Sequence, residues 1–220
     1  MPVSDENGHG TFLASVAAGG ENIQEGFTGA ASEAEIAVVK LKEAKDYLRK
    51  FYGIRQKAVC YQETDIMQGL RYLHLLALKN QKPLVMCVAL GTNLGGHNGM
   101  SSLSQILGSY SRLVDRCVVI GGGNEANERH HFQGQLNQVG EVQEVEMRVE
   151  SGNTGFVAEL WGTIPNIVTA YLISPSGERS PVISIRQGSR YQLTFPFEAD
   201  GCGMWNTGCF CGTEDPSFCF

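Results

Sequence analysis

The first half of the chain mixes two spacings of apolar residues. Helical spacing predicts helices at residues 9–18, 64–80 and 102–115, the second of them capped by Thr64 or Asp65. Short apolar runs predict strands at residues 34–41, 84–90 and 117–120. Strands of this kind separated by helices indicate a parallel sheet with helices on both faces, the α/β class. The charged residues 42–62 predict an insertion or a surface helix.

The pattern changes near Gly140. Beyond it, apolar and polar residues alternate with a period of two, as at Val145, Met147 and Val149. Pro175-Ser176-Gly177-Glu178 is typical of a turn between strands. This half therefore predicts an antiparallel β-sandwich or jelly roll.

Three regions follow from these patterns. The α/β part covers residues 1–135, and the β-rich part covers residues 140–199. Residues 200–220 are dense in Cys and Gly without periodicity, and they form an anomalous tail that fits neither part.

Composition narrows the classes of function. The net charge is −6 and there is no Lys/Arg-rich run, which speaks against nucleic acid as a partner. No apolar stretch approaches the roughly 20 residues of a membrane helix, and no signal-peptide pattern follows Met1. The sequence assigns no compartment. Among seven cysteines, Cys87 and Cys117 lie in apolar runs and are predicted to be small core residues.

The histidine at position 9 carries the strongest chemical signal. His9 lies between two glycines at the start of a predicted helix, in the run N-G-H-G-T-F-L-A-S-V-A-A-G. A general base needs a fixed imidazole, and Ala14 and Ala17 let the helix pack closely beneath it. An isolated Gly-His-Gly is more often a plain turn, but here the pattern extends through Ala17. It resembles the histidine signature of the subtilisin-like serine proteases (subtilases, peptidase family S8), H-G-T-x-x-A-x-x-A, which implies that His9 is the catalytic base.

Two later segments resemble the same family, and they come in the family's order. Ala89-Leu90-Gly91 is similar to the end of the substrate-binding strand, whose backbone pairs with an extended peptide. Ala89 stands where the family usually has serine. The run V-V-I-G-G-G-N-E is similar to V-x-A-A-G-N-E, which implies that Asn124 donates to the oxyanion. Taken alone, these segments also fit a buried strand that ends in a glycine turn and a turn asparagine.

The other two members of the catalytic triad have no counterpart in the chain. The family's aspartate lies in a D-[ST]-G motif ahead of the histidine, and Asp5 is too close to His9 to match it. The family's serine lies in G-T-S-x-A after the asparagine. Gly99-Met100-Ser101-Ser102 precedes Asn124 and reads as a helix cap. Because no acyl-enzyme forms without a serine and its base, this chain alone is predicted to be inactive.

The resemblance implies a fragment of a serine-type endopeptidase with polypeptide substrates. The β-rich part is in the position of the jelly-roll insertion of the clostridial Csp-like subtilases. The alternative is a pseudoprotease, a binding or regulatory protein that uses the cleft or the β-rich part. A carbohydrate-binding module has only Trp161 and Tyr171 in its favour.

Neither a cofactor nor a metal site is identified in the sequence. His130-His131 has no partner at a helical ligand spacing and is predicted to lie in a solvated loop rather than in a metal site. Structural calcium is common among subtilases, but no ligand cluster can be assigned to it.

Overall fold

The chain is described by a computed structural model at residues 4–55, 57–149, 156–163, 165–184, 190–197, 202–206 and 217–219. It forms two compact units. The first comprises Met1–Val88 and Ile106–Val119, and the second comprises Ala89–Gln105 and Ile120–Phe220. These units are defined by contacts within the structure. They do not test the predicted division of the chain into regions at residues 135, 140 and 199, which stays a prediction.

The helices lie in the first half of the chain, as predicted. Within the described residues they are α1 (His9–Ala18), α2 (Asp46–Phe51), α3 (Glu63–Asn80) and α4 (Ser102–Ser111). Helix α3 buries Leu70 and Ala77, which follow its apolar spacing. Its N-cap is Gln62, whose side chain makes no capping hydrogen bond, so the prediction of Thr64 or Asp65 as the cap was wrong. Helix α4 ends four residues before the predicted end.

Two strands pair in the first half. Strands β1 (Leu84–Val88) and β2 (Arg116–Ile120) are hydrogen-bonded neighbours. The N–H of Leu84 donates to the carbonyl of Asp115, just ahead of β2, at 2.9 Å. Both strands therefore begin at the same edge and run side by side, as a crossover through α4 requires.

One face of this small sheet is buried and the other is open. Met86 is 1% exposed and Val88 is buried on the side of α3, which packs against β1. We call the exposed alternate residues Val85, Cys87, Cys117 and Val119 the open face. The predictions of a sheet covered on both faces and of two core cysteines were therefore wrong for the described residues, because no helix among them covers this side.

The apolar run at residues 34–41 forms no strand. It still lies against α3, since a Cβ at Gly69 would lie 3.2 Å from Cγ1 of Val39. Ile36 and Val38 are exposed. A strand needs a hydrogen-bonded neighbour as well as an apolar sequence, and this run has none among the described residues.

The second half contains short strands. They are β3 (Gln133–Gln135), β4 (Trp161–Gly162), β5 (Thr169–Ala170), β6 (Ile183–Ser184), β7 (Arg190–Thr194), β8 (Cys202–Asn206) and β9 (Ser217–Cys219). The pairs β3–β9, β9–β4, β5–β6 and β7–β8 are antiparallel, as predicted. Residues 141–149 form no strand despite their alternation, and a jelly roll is not confirmed. The tail, expected to be irregular, contributes β8 and β9.

The predicted turn after Ser174 is present. The N–H of Ser174 donates to the carbonyl of Glu178, and the N–H of Gly177 donates back to Ser174, both at 2.9 Å. Gly177 has a φ of 89°, which favours glycine. None of the helices in the described part of the chain has the length and apolarity needed to cross a membrane.

Candidate active site

Asp5 organises the turn that carries His9. Its Oδ1 accepts the N–H groups of Asn7 and Gly8, at 3.0 and 2.9 Å. Its Oδ2 accepts the N–H and the hydroxyl of Thr11, at 2.9 and 2.7 Å. Two of these N–H groups, those of Gly8 and Thr11, are among the ones that a helix leaves unpaired at its start. The N-cap residue, Gly8, has no side chain to pair with them.

The backbone around His9 requires glycine on its N-terminal side. Gly8 has a φ of 84°, in the left-handed region. Its carbonyl accepts the N–H of Phe12 at 2.9 Å, which closes the first turn of α1. His9 is the first residue of this helix and is exposed. The imidazole is therefore presented to solvent from the rigid start of a helix.

The far end of α1 is held by the segment after it. The N–H groups of Gly29, Ala30 and Ala31 donate to the carbonyls of Gly19, Val16 and Ala17, at 2.9 to 3.0 Å. Gly29 is buried, and a Cβ there would lie 2.3 Å from the Gly19 nitrogen. Only glycine allows this close approach, so the G-A-A run locks the helix that carries His9.

The carboxylate of Asp5 is stabilised in its charged form. The Thr11 hydroxyl, followed by the N–H groups of Gly8, Thr11 and Asn7, holds the pKa of Asp5 well below its usual range. A negative charge at a helix N-terminus is also favoured by the helix dipole. Sequence reasoning considered Asp5 only as a triad member and missed this role. The signal was an acidic residue within reach of the first turn of a helix whose N-cap is glycine.

The other predicted site residues follow β1 and β2 at one edge of the sheet. Ala89-Leu90-Gly91 leaves the end of β1, and Asn124 comes four residues after the end of β2. Ala89 and Leu90 are half-buried, whereas Gly91 and Asn124 are exposed. Since both strands begin at the same edge and have five residues each, their following loops emerge together at the carboxyl edge. Ligands bind at this edge in α/β sheets.

Polar side chains join these two loops beside Asn124. The Asn93 amide nitrogen lies 3.1 Å from Nδ1 of His130. The same His130 nitrogen lies 3.3 Å from Oε2 of Glu125. The Asn93 side chain, and less strongly His130, lower the pKa of Glu125. Glu125 directly follows Asn124, so the loop after β1 contacts the segment that presents the predicted oxyanion donor.

This cluster also bears on the histidine pair. His130 has an acidic partner in Glu125, five residues earlier, a separation that differs from the helical ligand spacing. The rings of His97 and His131 are in contact, with their centroids 4.4 Å apart and their planes tilted by 31°. No group of three or more His, Cys, Asp or Glu side chains in the described ranges is arranged to hold a metal ion.

Residues 1–196 match the Subtilase family. The chain belongs to the subtilases. Its structure is similar to that of the Clostridium perfringens CspB protease, with a TM-score of 0.68 and 24% sequence identity over 99% of this chain and 47% of that chain. The chain therefore spans about half the length of that protein. Among curated proteins no sequence matches.

These comparisons confirm the family and the α/β subtilisin-like fold predicted from the motifs. The roles of His9, Asn124 and Ala89-Leu90-Gly91 remain predictions. All of these residues lie within the part of the chain that matches the subtilase family.

Proposed function

We propose that this chain is part of a subtilisin-like serine endopeptidase, a hydrolase that cleaves polypeptides through an acyl-enzyme. The observation that carries the proposal is the subtilase match over residues 1–196. It includes the histidine motif, the substrate-strand motif and the asparagine motif in the order that the family has. The arrangement of two of these motifs at one carboxyl edge supports the same function.

His9 has the role of general base. It takes the proton from the attacking serine hydroxyl and later gives it to the leaving amine. The reaction needs an imidazole in a fixed position, which a rigid helix start provides. Asp5 contributes through the backbone of this turn, because its carboxylate binds the N–H groups of Gly8 and Thr11 on either side of His9.

Asn124 and the segment after β1 bind the substrate. The Asn124 amide donates to the oxygen that becomes negative in the tetrahedral intermediate. Loss of such a donor costs about 3–4 kcal/mol of transition-state stabilisation. The backbone of Ala89-Leu90-Gly91 pairs with the extended peptide as an added strand.

The serine and the triad aspartate are not supplied by these 220 residues. No G-T-S-x-A motif and no D-[ST]-G motif occurs in the sequence. The chain by itself is therefore inactive, since its base has no nucleophile to activate.

The DNA around the coding sequence tests this proposal. A D-[ST]-G motif encoded upstream and a G-T-S-x-A motif encoded downstream, in one reading frame with this chain, would support the endopeptidase. The frame should also be read through the codons for residues 201–220. A gene that encodes neither motif would contradict the proposal.

The second candidate is a peptide-binding protein without catalysis. The observation that favours it is the combination of a substrate-strand motif with no serine motif in the same chain. It predicts peptide binding by the 220 residues alone, together with a gene that lacks both missing motifs. The same DNA sequence therefore distinguishes the two candidates: the endopeptidase requires both missing motifs, and the binding protein predicts neither.

A further inference from the structure

The loop after the predicted substrate strand, residues 92–99, is mostly exposed. Residues 92–99 include three residues with positive φ: Gly95 at 98°, His97 at 51° and Gly99 at 73°. Together with Ser101 and Ser104, the loop lines a cavity of about 180 Å³. The hydrogen bonds within the loop are local, between the Leu94 N–H and the Thr92 hydroxyl and between His97 Nε2 and the Asn93 carbonyl. Contacts from other segments therefore add to what fixes its shape.

Glu159 and Trp161, from the β-rich part, contact this loop. Oε2 of Glu159 accepts the N–H of Gly95 at 2.8 Å and the indole N–H of Trp161 at 3.0 Å. Both side chains are half-buried. Hydrogen bonds to a charged carboxylate are stronger than those between neutral groups. A single carboxylate oxygen thus joins the loop backbone to the indole.

The indole ring lies directly against Gly96. A Cβ at Gly96 would lie 2.9 Å from Cε3 and 3.1 Å from Cδ2 of Trp161, too close for either atom to stay in place. The ring occupies the space that a side chain at this position would need. Trp161 and Glu159 therefore hold two successive residues of the loop, one by packing and one by a hydrogen bond.

We propose that Glu159 and Trp161 are positioning residues, which hold the 92–99 loop so that Ala89-Leu90-Gly91 can pair with an extended peptide. Gly95 is only four residues beyond Gly91, so movement of the loop backbone reaches the pairing segment. The proposal rests on the proposed peptide-binding role of that segment. It gives the β-rich part a direct effect on substrate binding.

Two measurements on the 220-residue chain test the proposal. One is the hydrogen exchange of the Gly95 and Gly96 amides without peptide. The other is the affinity for a fluorescein-labelled octapeptide of alanines with one central phenylalanine, followed by fluorescence anisotropy. Glu159→Ala should speed the exchange and weaken peptide binding roughly tenfold, the factor that corresponds to one lost hydrogen bond to a charged group. Glu159→Gln should retain most of both properties, because its amide oxygen still accepts an N–H.

Glu178 provides the matched control. Its Oε2 also accepts a backbone N–H in the β-rich part, that of Phe197 at 3.1 Å, which lies outside the 92–99 loop. Glu178→Ala should leave the exchange at Gly95 and the peptide affinity unchanged. If Glu178→Ala weakens binding as much as Glu159→Ala does, the effect is general destabilisation and the proposal is wrong.

A substitution in the loop tests the packing contact separately. Gly96→Ala should weaken peptide binding, since the new methyl group displaces the indole. Combined with Trp161→Ala, it should cause no further loss beyond that of Trp161→Ala alone. Losses that simply add would contradict a direct contact between these residues.

Different results would contradict the peptide-binding role of Ala89-Leu90-Gly91 and the positioning role of Glu159 and Trp161. If the unmodified chain does not bind the peptide, the role of Ala89-Leu90-Gly91 is wrong, and the positioning proposal fails with it. If the unmodified chain binds the peptide but Glu159→Ala changes neither exchange nor affinity, the positioning proposal alone is wrong.

Discussion

The hydroxyl of Thr11 donates a hydrogen bond of 2.7 Å to the carboxylate of Asp5, across the turn that carries His9. The same carboxylate accepts the N–H of Gly8 on the other side of the histidine. The predicted catalytic base therefore stands inside a loop closed by one acidic side chain. The rigidity that a general base needs has a local origin here, and it can be tested without activity.

Asp5→Asn should loosen one side of this turn. An asparagine can still accept the N–H groups of Asn7 and Gly8 through its amide oxygen, but its NH₂ group cannot accept from Thr11. We expect the Thr11 amide to exchange with solvent several-fold faster, while the Gly8 amide changes less. NMR-detected hydrogen exchange measures both. Glu6→Gln is the matched control, because the Glu6 carboxylate contacts Lys40 instead of this turn; equal effects of the two substitutions would contradict the role of Asp5.

The acid titration of this turn should occur below the ordinary range of a carboxyl group. The pKa of Asp5 is lowered in the folded chain. Its stabilising contribution is therefore complete above the unfolded-state pKa of about 3.9 and is lost as the pH falls through the lower folded value. The amide chemical shifts of Gly8 and Thr11 should stay constant from neutral pH down to about pH 4 and move only in stronger acid. A midpoint at the ordinary pKa would show that the carboxylate does not accept these bonds.

Two glycines flank His9, and replacing them should affect stability differently. Gly8→Ala places a side chain at a φ of 84°, where the surroundings leave space for a Cβ but the backbone is strained by about 1–2 kcal/mol. Gly10→Ala adds a methyl group within a helix, 3.7 Å from Asp5 Oδ2 in ordinary contact, and should be neutral or stabilising by up to about 1 kcal/mol. Urea unfolding followed by circular dichroism measures both. A destabilising Gly10→Ala together with a neutral Gly8→Ala would overturn this description of the turn.

The open face of the β1–β2 sheet predicts reactive cysteines. Cys87 and Cys117 are exposed, whereas Cys60 is half-buried. Iodoacetamide at limiting concentration should modify Cys87 and Cys117 of the native chain before Cys60, as located by peptide mapping. In urea the three should react alike. Protection of Cys87 and Cys117 until unfolding would mean that the open face is covered in solution.

Local features of the fold were predictable from the sequence, and features that depend on a distant partner were not. Helix α1 begins and ends at the predicted residues because its signals, Gly8 and Gly19, lie next to it in the chain. The runs at residues 34–41 and 141–149 have strand patterns but form no strand, since pairing depends on a neighbour that the pattern does not specify. The exposure of Cys87 likewise depends on what covers the sheet.

In the candidate site, too, local features were predictable from the sequence and contacts between distant segments were not. His9 and Asn124 could be predicted as site residues because each lies in a contiguous motif. The contact of Glu125 with His130 and the hydrogen bond from Gly95 to Glu159 depend on how the chain folds, so spacing along the chain could not show them. The role of Asp5 could have been predicted from the sequence, since Asp5 lies only six residues before its partner Thr11.

Labelling with a fluorophosphonate probe tests the central claim most directly. The product of the complete uninterrupted reading frame should label at a serine, and His9→Ala should abolish the labelling. Asn124→Ala should slow it by roughly 10²–10³-fold, the effect of one missing oxyanion donor. The 220-residue chain alone should not label. Labelling of that chain, or a folded complete product that does not label, would contradict a protease in which this chain supplies the base and the oxyanion donor.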